Sequence, residues 1–241
     1  MMHVLQAKDL SKSYRGKKAV HELSLYLTTG EIVGLLGPNG AGKTTTFYMV
    51  VGMINPDAGA ISLDDEDIGR LPMYKRALKG ISYLPQEPSI FRKLSVRDNL
   101  RAILEIKGLS RAEIDERVEQ LLEEFSLSPF ADRLSYRLSG GERRRTEIAR
   151  TIATDPTFIL FDEPFAGIDP IAIIELKRML QYLKGKGLGI LVTDHNVRDT
   201  LSITDRAYII SNGGILDEGV PEKLIANPKV KESYLGEEFK L

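Results

Sequence analysis

The 241 residues predict an α/β fold with a parallel central sheet, an N-terminal antiparallel β subdomain and an inserted helical subdomain. Three observations carry that reading. Short apolar runs alternate with helical stretches, and each run stops at a glycine or polar cluster. The first strand candidates are more polar, as in a sheet with one solvated face. Near the middle, a charged stretch repeats its apolar residues at helical spacing and interrupts the strand pattern.

Taken in order, strands near 4–10, 24–27 and 60–63 form the half-exposed antiparallel sheet. Residues 31–36 read as a buried strand, and 44–51 as the helix after it. Between 96 and 125 the residues Leu100, Ile103, Leu104 and Ile106, then Ile114, Val118, Leu121 and Leu122, mark two helices. Gly108 and Ser110 separate them, and Pro129 closes the second. The inserted subdomain is expected over roughly 88–156 of a single domain, 1–241. Residues 158–161 and 189–193 are further buried strands. The runs 208–210 and 215–216 flank Ser211-Asn212-Gly213-Gly214, a hairpin signal. Residues 220–241 form a short C-terminal extension whose last part, from Lys231, is polar and carries no clear element.

Composition excludes several classes of function. With 42% hydrophobic and 28% charged residues the chain is neither disordered nor collagen-like. Its 33 Lys and Arg nearly cancel 34 Asp and Glu, so no general electrostatic reason for nucleic-acid binding remains. The absence of cysteine removes disulfides, iron–sulfur clusters and Cys-based zinc sites, and His3, His21 and His195 are too scattered for a His-rich site. Met1-Met2-His3-Val4-Leu5 lacks the basic-then-apolar pattern of a secretory signal. The most apolar stretch, 47–54, is far shorter than the roughly 20 residues of a membrane span. The expectation is a cytoplasmic protein that reaches a membrane only through partners.

Gly37-Pro38-Asn39-Gly40-Ala41-Gly42-Lys43-Thr44 fits the phosphate-loop pattern G-x-x-x-x-G-K-[ST] and is followed by Thr45. The pattern arises by chance in about one chain in a hundred of this length, but here it lies between a predicted strand and a predicted helix. The loop amides turn inward around phosphates at the positive end of the helix. Lys43 reaches the β- and γ-phosphates, and the Thr44 hydroxyl ligates Mg²⁺. The strand 158–161 ends in Asp162 and Glu163, and in an open parallel sheet such strand ends face the ligand. Asp162 suits Mg²⁺ held through its water shell, and Glu163 suits orientation of the attacking water. Acids at strand ends also serve as plain helix caps, and the phosphate loop in the same chain is what favours the chemical role.

Leu138-Ser139-Gly140-Gly141-Glu142 opens a basic helix through Arg143, Arg144 and Arg145 to Ile152. Ser139 and Glu142 form a capping box by spacing. Two glycines in the first turn cost about 1 kcal/mol each against alanine and are not needed for capping. Close backbone approach to an anion does need them, and the two readings are compatible.

These residues resemble the ATP-binding subunits of ABC transporters, and the likeness runs through the whole chain in order. The phosphate loop comes first, then Gln86 after a strand, 138–142 as the signature, Asp162 with Glu163, and His195. The resemblance implies a P-loop NTPase core of the ABC ATPase kind, with ATP and Mg²⁺ as ligands and hydrolysis coupled to transport. It implies a head-to-tail homodimer in which Ser139, Gly140 and Gly141 of one subunit meet the γ-phosphate held by the other. By the same resemblance Gln86 contacts Mg²⁺ and the attacking water, His195 contacts the γ-phosphate, and adenine stacks on Tyr14. Without it, Gln86 is a loop residue, His195 a structural histidine and Tyr14 a packing or surface residue. The family's signature usually has Gln where Glu142 stands, and its later loop usually reads Ser-Ala-Leu-Asp where this chain has Ala166-Gly167-Ile168-Asp169. The second departure removes a serine contact across the dimer.

The family also implies two transmembrane permease subunits, received near 89–95. There Phe91 beside Arg92 has the makeup of an interface anchor, unless Phe91 packs under the helical subdomain. Residues 165–170, 193–201 and 234–241 look like the ATPases of bacterial lipopolysaccharide export transporters. Branched-chain amino-acid importers share Asp194-His195-Asn196 and are the alternative. DNA-repair relatives need a long coiled coil between phosphate loop and signature, and only about a hundred residues separate Gly42 from Ser139. Ribosome-acting relatives carry two cassettes, and a binding module without hydrolysis has no use for Glu163.

Overall fold

In the computed structural model, which describes residues 2–236 and 239, the two longest strands come first. β1 (Val4–Tyr14) and β2 (Lys17–Thr28) pair antiparallel through a turn at Arg15 and Gly16, both with positive φ. Both run past the expected segments, because their paired outer ends are polar and exposed and show no apolar alternation. β3 (Ile32–Leu36), buried along its length, leads into α1 (Lys43–Val51). β4 (Ala58–Leu63) and β5 (Glu66–Asp67) complete an antiparallel sheet in the order β2-β1-β4-β5. After α2 (Met73–Leu78) and β6 (Ile81–Leu84) come three helices, α3 (Val96–Leu104), α4 (Arg111–Glu124) and α5 (Gly140–Ile152). The chain then returns through β7 (Phe158–Asp162), α6 (Pro170–Gly185), β8 (Gly189–Thr193) and α7 (Val197–Leu201). The hairpin β9 (Arg206–Ser211) and β10 (Gly214–Gly219) turns at Asn212 and Gly213, both with positive φ, and α8 (Pro221–Ala226) follows.

The second sheet has the order β10-β9-β3-β8-β7-β6, parallel except for the β9–β10 hairpin. Alternation along each buried strand divides the core. Ile159, Phe161, Ile190 and Val192 face α3, α4, α5 and α6. Phe158, Leu160, Val33 and Leu35 face α1, whose Phe47, Met49 and Val50 also pack on Leu5, Leu25 and Leu27 of the antiparallel sheet. The phosphate-loop helix is therefore held between two sheets. A smaller cluster joins Leu36, Leu201, Ile209, Leu224 and Val230, with Tyr234, Leu235 and Phe239 against it.

Two sequence expectations need correction. Ile106 is not on a buried helix face. α3 ends at Leu104, and the 3₁₀ turn Glu105–Lys107 swings Ile106 out to 81% exposure. Pro129 does not close the second helix either, since α4 stops at Glu124 and Ser126 breaks it by taking φ +53. The reading of the tail through Leu241 lies partly outside the described residues, at Glu237, Glu238, Lys240 and Leu241, as does Met1. Among the described residues no helix is long and apolar enough to cross a membrane.

Phe161 is fully buried against the helical region. Phe161→Ala should lower unfolding stability by about 3–5 kcal/mol, read as a shifted urea midpoint with an unchanged slope. A loss below about 1 kcal/mol would mean that the helices are not packed on this face of the sheet.

Candidate active site

Parallel register brings the functional loops to one edge. Leu35 of β3 lies opposite Thr193 of β8, Thr193 opposite Asp162 of β7, and Phe161 opposite Leu84 of β6. The strands end level, so the phosphate loop, Gln86, Glu163 and His195 all leave the sheet at the same rim. That is where an open parallel sheet binds ligands.

The loop from Gly37 to Gly42 takes its shape from close approach. A Cβ on Gly37 would lie 2.2 Å from the Ile210 carbonyl oxygen, and one on Gly42, with φ +105, 2.6 Å from that of Ala19. No side chain caps α1, which leaves its first amides available to an anion. Lys43 is nearly buried and donates from Nζ to the carbonyls of Gly37 (2.6 Å) and Pro38 (3.1 Å). Burial pulls its pKa down, while the charges of Glu163 and Asp194 pull it back up. Asn39, Gly40, Thr44 and Thr45 line a cleft of about 370 Å³ with Lys43, Glu163 and Tyr14. Tyr14 is 48% exposed at the end of β1, so it stands on the rim of this cleft and is not a packing residue.

Beyond β7 the two acids diverge. Asp162 is buried, and its carboxylate accepts from the Thr193 hydroxyl at 2.9 Å and the Tyr83 hydroxyl at 3.3 Å. Desolvation raises its pKa and the two hydrogen bonds oppose that rise. Glu163 has φ +43, held by its amide donating to the Thr193 carbonyl at 2.8 Å. Its Oε2 accepts from Gln86 Nε2 at 3.0 Å and lies 3.3 Å from His195 Nδ1. Gln86, Glu163 and His195 thus form one group at the mouth of the phosphate cleft. A left-handed glutamate costs on the order of 1–3 kcal/mol and tends to persist where a site requires it.

The signature lies apart from the phosphate loop. Ser139 and Glu142 make both bonds of the capping box, the Glu142 amide to Ser139 Oγ at 3.2 Å and the Ser139 amide to Glu142 Oε2 at 2.8 Å. A Cβ on Gly140 would meet nothing within 4 Å, and one on Gly141 nothing closer than 3.9 Å. The fold itself does not require glycine at either position. None of residues 139–141 lines the phosphate cleft of its own chain. Gly140 opens instead on a second cleft of about 440 Å³, shared with Gln86, Arg143, Arg144 and Ala166, and Glu163 borders both.

Phe91 is 46% exposed, which removes the reading that it packs in the core. The Arg150 guanidinium lies over its ring at 4.5 Å, and its amide donates to Asn99 Oδ1 at 2.9 Å. On the other side of Arg150 opens a largely apolar groove of about 480 Å³, walled by Met53, Met73, Ala77, Leu84 and Ile103. Arg92 borders a smaller cleft with Tyr136 and Arg143.

Sequence reading missed Asp194 as a site residue. It is fully buried and accepts from the amides of Phe165 (2.9 Å) and Asn196 (2.7 Å), tying the loop after β7 to the loop after β8. Burial raises its pKa. Its place directly after a buried strand is the sequence signal for it. The hydrogen-bonding roles of Tyr83 and Thr193 left no mark in the sequence.

The donors at the rim suit a hard divalent cation held partly by phosphate. Among the described residues no group of three His, Cys, Asp or Glu is placed to cage a metal alone. What is present is the Thr44 hydroxyl, the Asp162 carboxylate and the Gln86 side chain, whose nitrogen is spent on Glu163 so that its oxygen is left for a cation. All are oxygen donors, as Mg²⁺ prefers.

Comparison with known proteins gives the family. Residues 20–166 match the family model described as ABC transporter. The chain is 55% identical over all 241 residues to the lipopolysaccharide export system ATP-binding protein LptB of Escherichia coli (strain K12), and equally so to that of Haemophilus influenzae; both are covered end to end. Among solved structures, the ADP conformation of an ATP-binding cassette of an ABC transporter superposes with a TM-score of 0.87 at 30% identity, over 98% of this chain and 100% of that one.

The contacts at Gly37 leave no room for a methyl group. Gly37→Ala should retain a cooperative thermal transition while nucleotide affinity, followed by calorimetric titration, falls at least about tenfold. Wild-type affinity in a folded variant would show that the loop can re-form without this approach.

Proposed function

This chain belongs to the ABC transporter family as one of its ATPases, and we propose that it powers lipopolysaccharide export as a homodimer on a pair of transmembrane permeases. The identity of 55% over the full length of the export proteins supports that cargo, and no comparable observation favours a branched-chain amino-acid importer. On this reading the protein sits on the cytoplasmic face of the inner membrane, held there by its permeases.

The chemistry follows from the rim. Loop amides and Lys43 bind the β- and γ-phosphates, and adenine stacks on the exposed ring of Tyr14. Thr44, Gln86 and Asp162 would hold Mg²⁺, which would neutralise charge on the phosphate oxygens. Glu163 orients a water for in-line attack on the γ-phosphorus and accepts its proton as the bond to the β-phosphate oxygen breaks. Gln86 and His195, at 3.0 and 3.3 Å from its carboxylate, hold Glu163 in that pose. Ser139, Gly140 and Gly141 supply amides and a hydroxyl to the γ-phosphate of the partner subunit. The unneighboured glycines are the observation behind that role. Glu142 in place of glutamine is spent on capping and on Arg133, so the substitution leaves those contacts free. Asp169 caps α6 through the amides of Ile171 and Ala172, which is a local reason for it to be there.

Phe91, Arg92 and the apolar groove lined by Arg150 form the surface on which each subunit receives a short helix from its own permease. The exposed ring needs no refolding to serve as an anchor.

Glu163→Gln should cut ATP hydrolysis by on the order of 10²–10⁴ while nucleotide still binds, and should accumulate an ATP-bound dimer on size exclusion. Reconstituted with its copurifying permeases in liposomes containing lipopolysaccharide, the wild type should release that lipid on ATP addition and the variant should not. ATP-driven uptake of leucine instead would overturn the cargo.

Phe91→Ala should melt as the wild type does and hydrolyse ATP alone at a similar rate, yet lose copurification with the permeases. A stable variant that still assembles would remove Phe91 from the docking surface.

A further inference from the structure

Arg76 is fully buried in α2 and takes no part in the chemistry above. Among the described residues it forms no ion pair; its guanidinium is satisfied by backbone carbonyls. Nη1 donates to Met49 (2.8 Å) and Val50 (2.7 Å), Nη2 to Gly69 (2.9 Å) and Nε to Leu71 (2.8 Å). Met49 and Val50 belong to the last turn of α1; the Met49 carbonyl also accepts from the Gly52 amide at 3.2 Å, and a cation there suits the negative end of the helix. Burial lowers the Arg76 pKa to about 10, which leaves the group charged at neutral pH. Gly52, the residue that ends α1, has φ +88, and a Cβ there would lie 2.7 Å from Arg76 Nε. The Met73 amide donates to the Gly52 carbonyl at 3.2 Å, so α2 is fastened to the end of α1 at two points.

The same turn of α2 presents Met73 and Ala77 to the apolar groove, and Met53, next after Gly52, completes that wall. At the other end of α1, a nine-residue helix about 13 Å long, stand Lys43 and Thr44. One helix thus has phosphate contacts at its start and the groove wall at its end.

We propose that Arg76 is a positioning residue, the rigid joint through which a permease helix seated in the groove shifts the phosphate-loop helix. The proposal rests on the groove being the permease dock. A push on α2 is not absorbed at the joint, because slipping past α1 leaves a buried guanidinium nitrogen and the Val50 carbonyl without partners. Apolar packing alone allows sliding, whereas a planar fork bonded both to the end of α1 and to the 69–71 loop resists it. α2 and α1 therefore move as one body, and the shift arrives at Lys43 and Thr44.

The test compares ATP turnover of the isolated subunit with that of the subunit in complex with its copurifying permeases. The proteins are wild type, Arg76→Lys, Arg76→Gln and Ala77→Glu. Lysine keeps the charge but lacks the fork, and glutamine keeps two of the donors, so one folded variant suffices. Either should retain isolated turnover and KM within about twofold and still assemble, while the ratio of complexed to free turnover falls at least about fivefold toward one. A folded, assembled Arg76 variant with the wild-type ratio would overturn the proposal. So would a wild-type ratio of one, or a loss of isolated turnover that tracks the loss of folded protein in a thermal melt. Ala77→Glu separates the two layers. Normal assembly of that variant refutes the groove itself, whereas failed assembly with an unchanged ratio in Arg76→Lys refutes Arg76 alone.

Discussion

The nucleotide edge depends on one residue's alignment, that of Thr193. It is the last residue of β8, in register with both β3 and β7, opposite Leu35 and opposite Asp162. Its hydroxyl donates to the Asp162 carboxylate and its carbonyl accepts from the Glu163 amide. A slip of one residue between these strands would invert every side chain's face. It would bury Glu163 and turn Asp162 away from the phosphate loop. The apolar alternation that divides the core into two clusters enforces this register, so hydrophobic packing sets the positions of the charged groups.

Desolvation then sets their charge preferences. Lys43 and Asp162 are both nearly buried, and burial pushes each toward its neutral form, the lysine pKa down and the aspartate pKa up. Asp194 is pushed in the same direction as Asp162. Each penalty opposes the charge that ATP and a divalent cation require of these groups. Phosphate oxygens beside Lys43 and a cation beside Asp162 favour the charged forms. The folded protein thus carries a cost at this rim that an anion beside Lys43 and, on the function proposed above, a cation beside Asp162 would relieve.

Sequence patterns revealed the parts whose physics is local. The phosphate loop needs glycine where backbones meet, and a Cβ on Gly37 or Gly42 would lie within 3 Å of a carbonyl oxygen. The capping box at Ser139, the Asn212-Gly213 hairpin and the alternation through 158–161 are equally short-range. Longer-range features were not legible. Arg76 sits in a short helix with no strong periodicity, and two of its four acceptors, Met49 and Val50, come from a helix that only the fold brings beside it. α6 was open to detection, since Asp169 before Pro170 is an N-cap followed by proline at the first helical position. Ile106 was misplaced because an apolar residue at the expected spacing lies just past the true end of its helix, where the turn tightens to 3₁₀.

Gly140 and Gly141 carry the last step. A glycine pair in a helix's first turn sacrifices about 2 kcal/mol of helix propensity. At Gly37, Gly42 and Gly52 a positive φ and an atom that a Cβ would strike explain the glycine, whereas Gly185, the last residue of α6, has neither. At 140 and 141 no such atom is present within the subunit, and the helix is already capped by Ser139 and Glu142. The surface left bare is a set of helix N-terminal amides, which favour an anion. Lys43 and the phosphate loop lie in a different cleft of the same chain. An anion held by one copy and met by the glycines of another satisfies both halves. This geometry therefore favours a two-subunit site, with Glu163 at the border of both clefts.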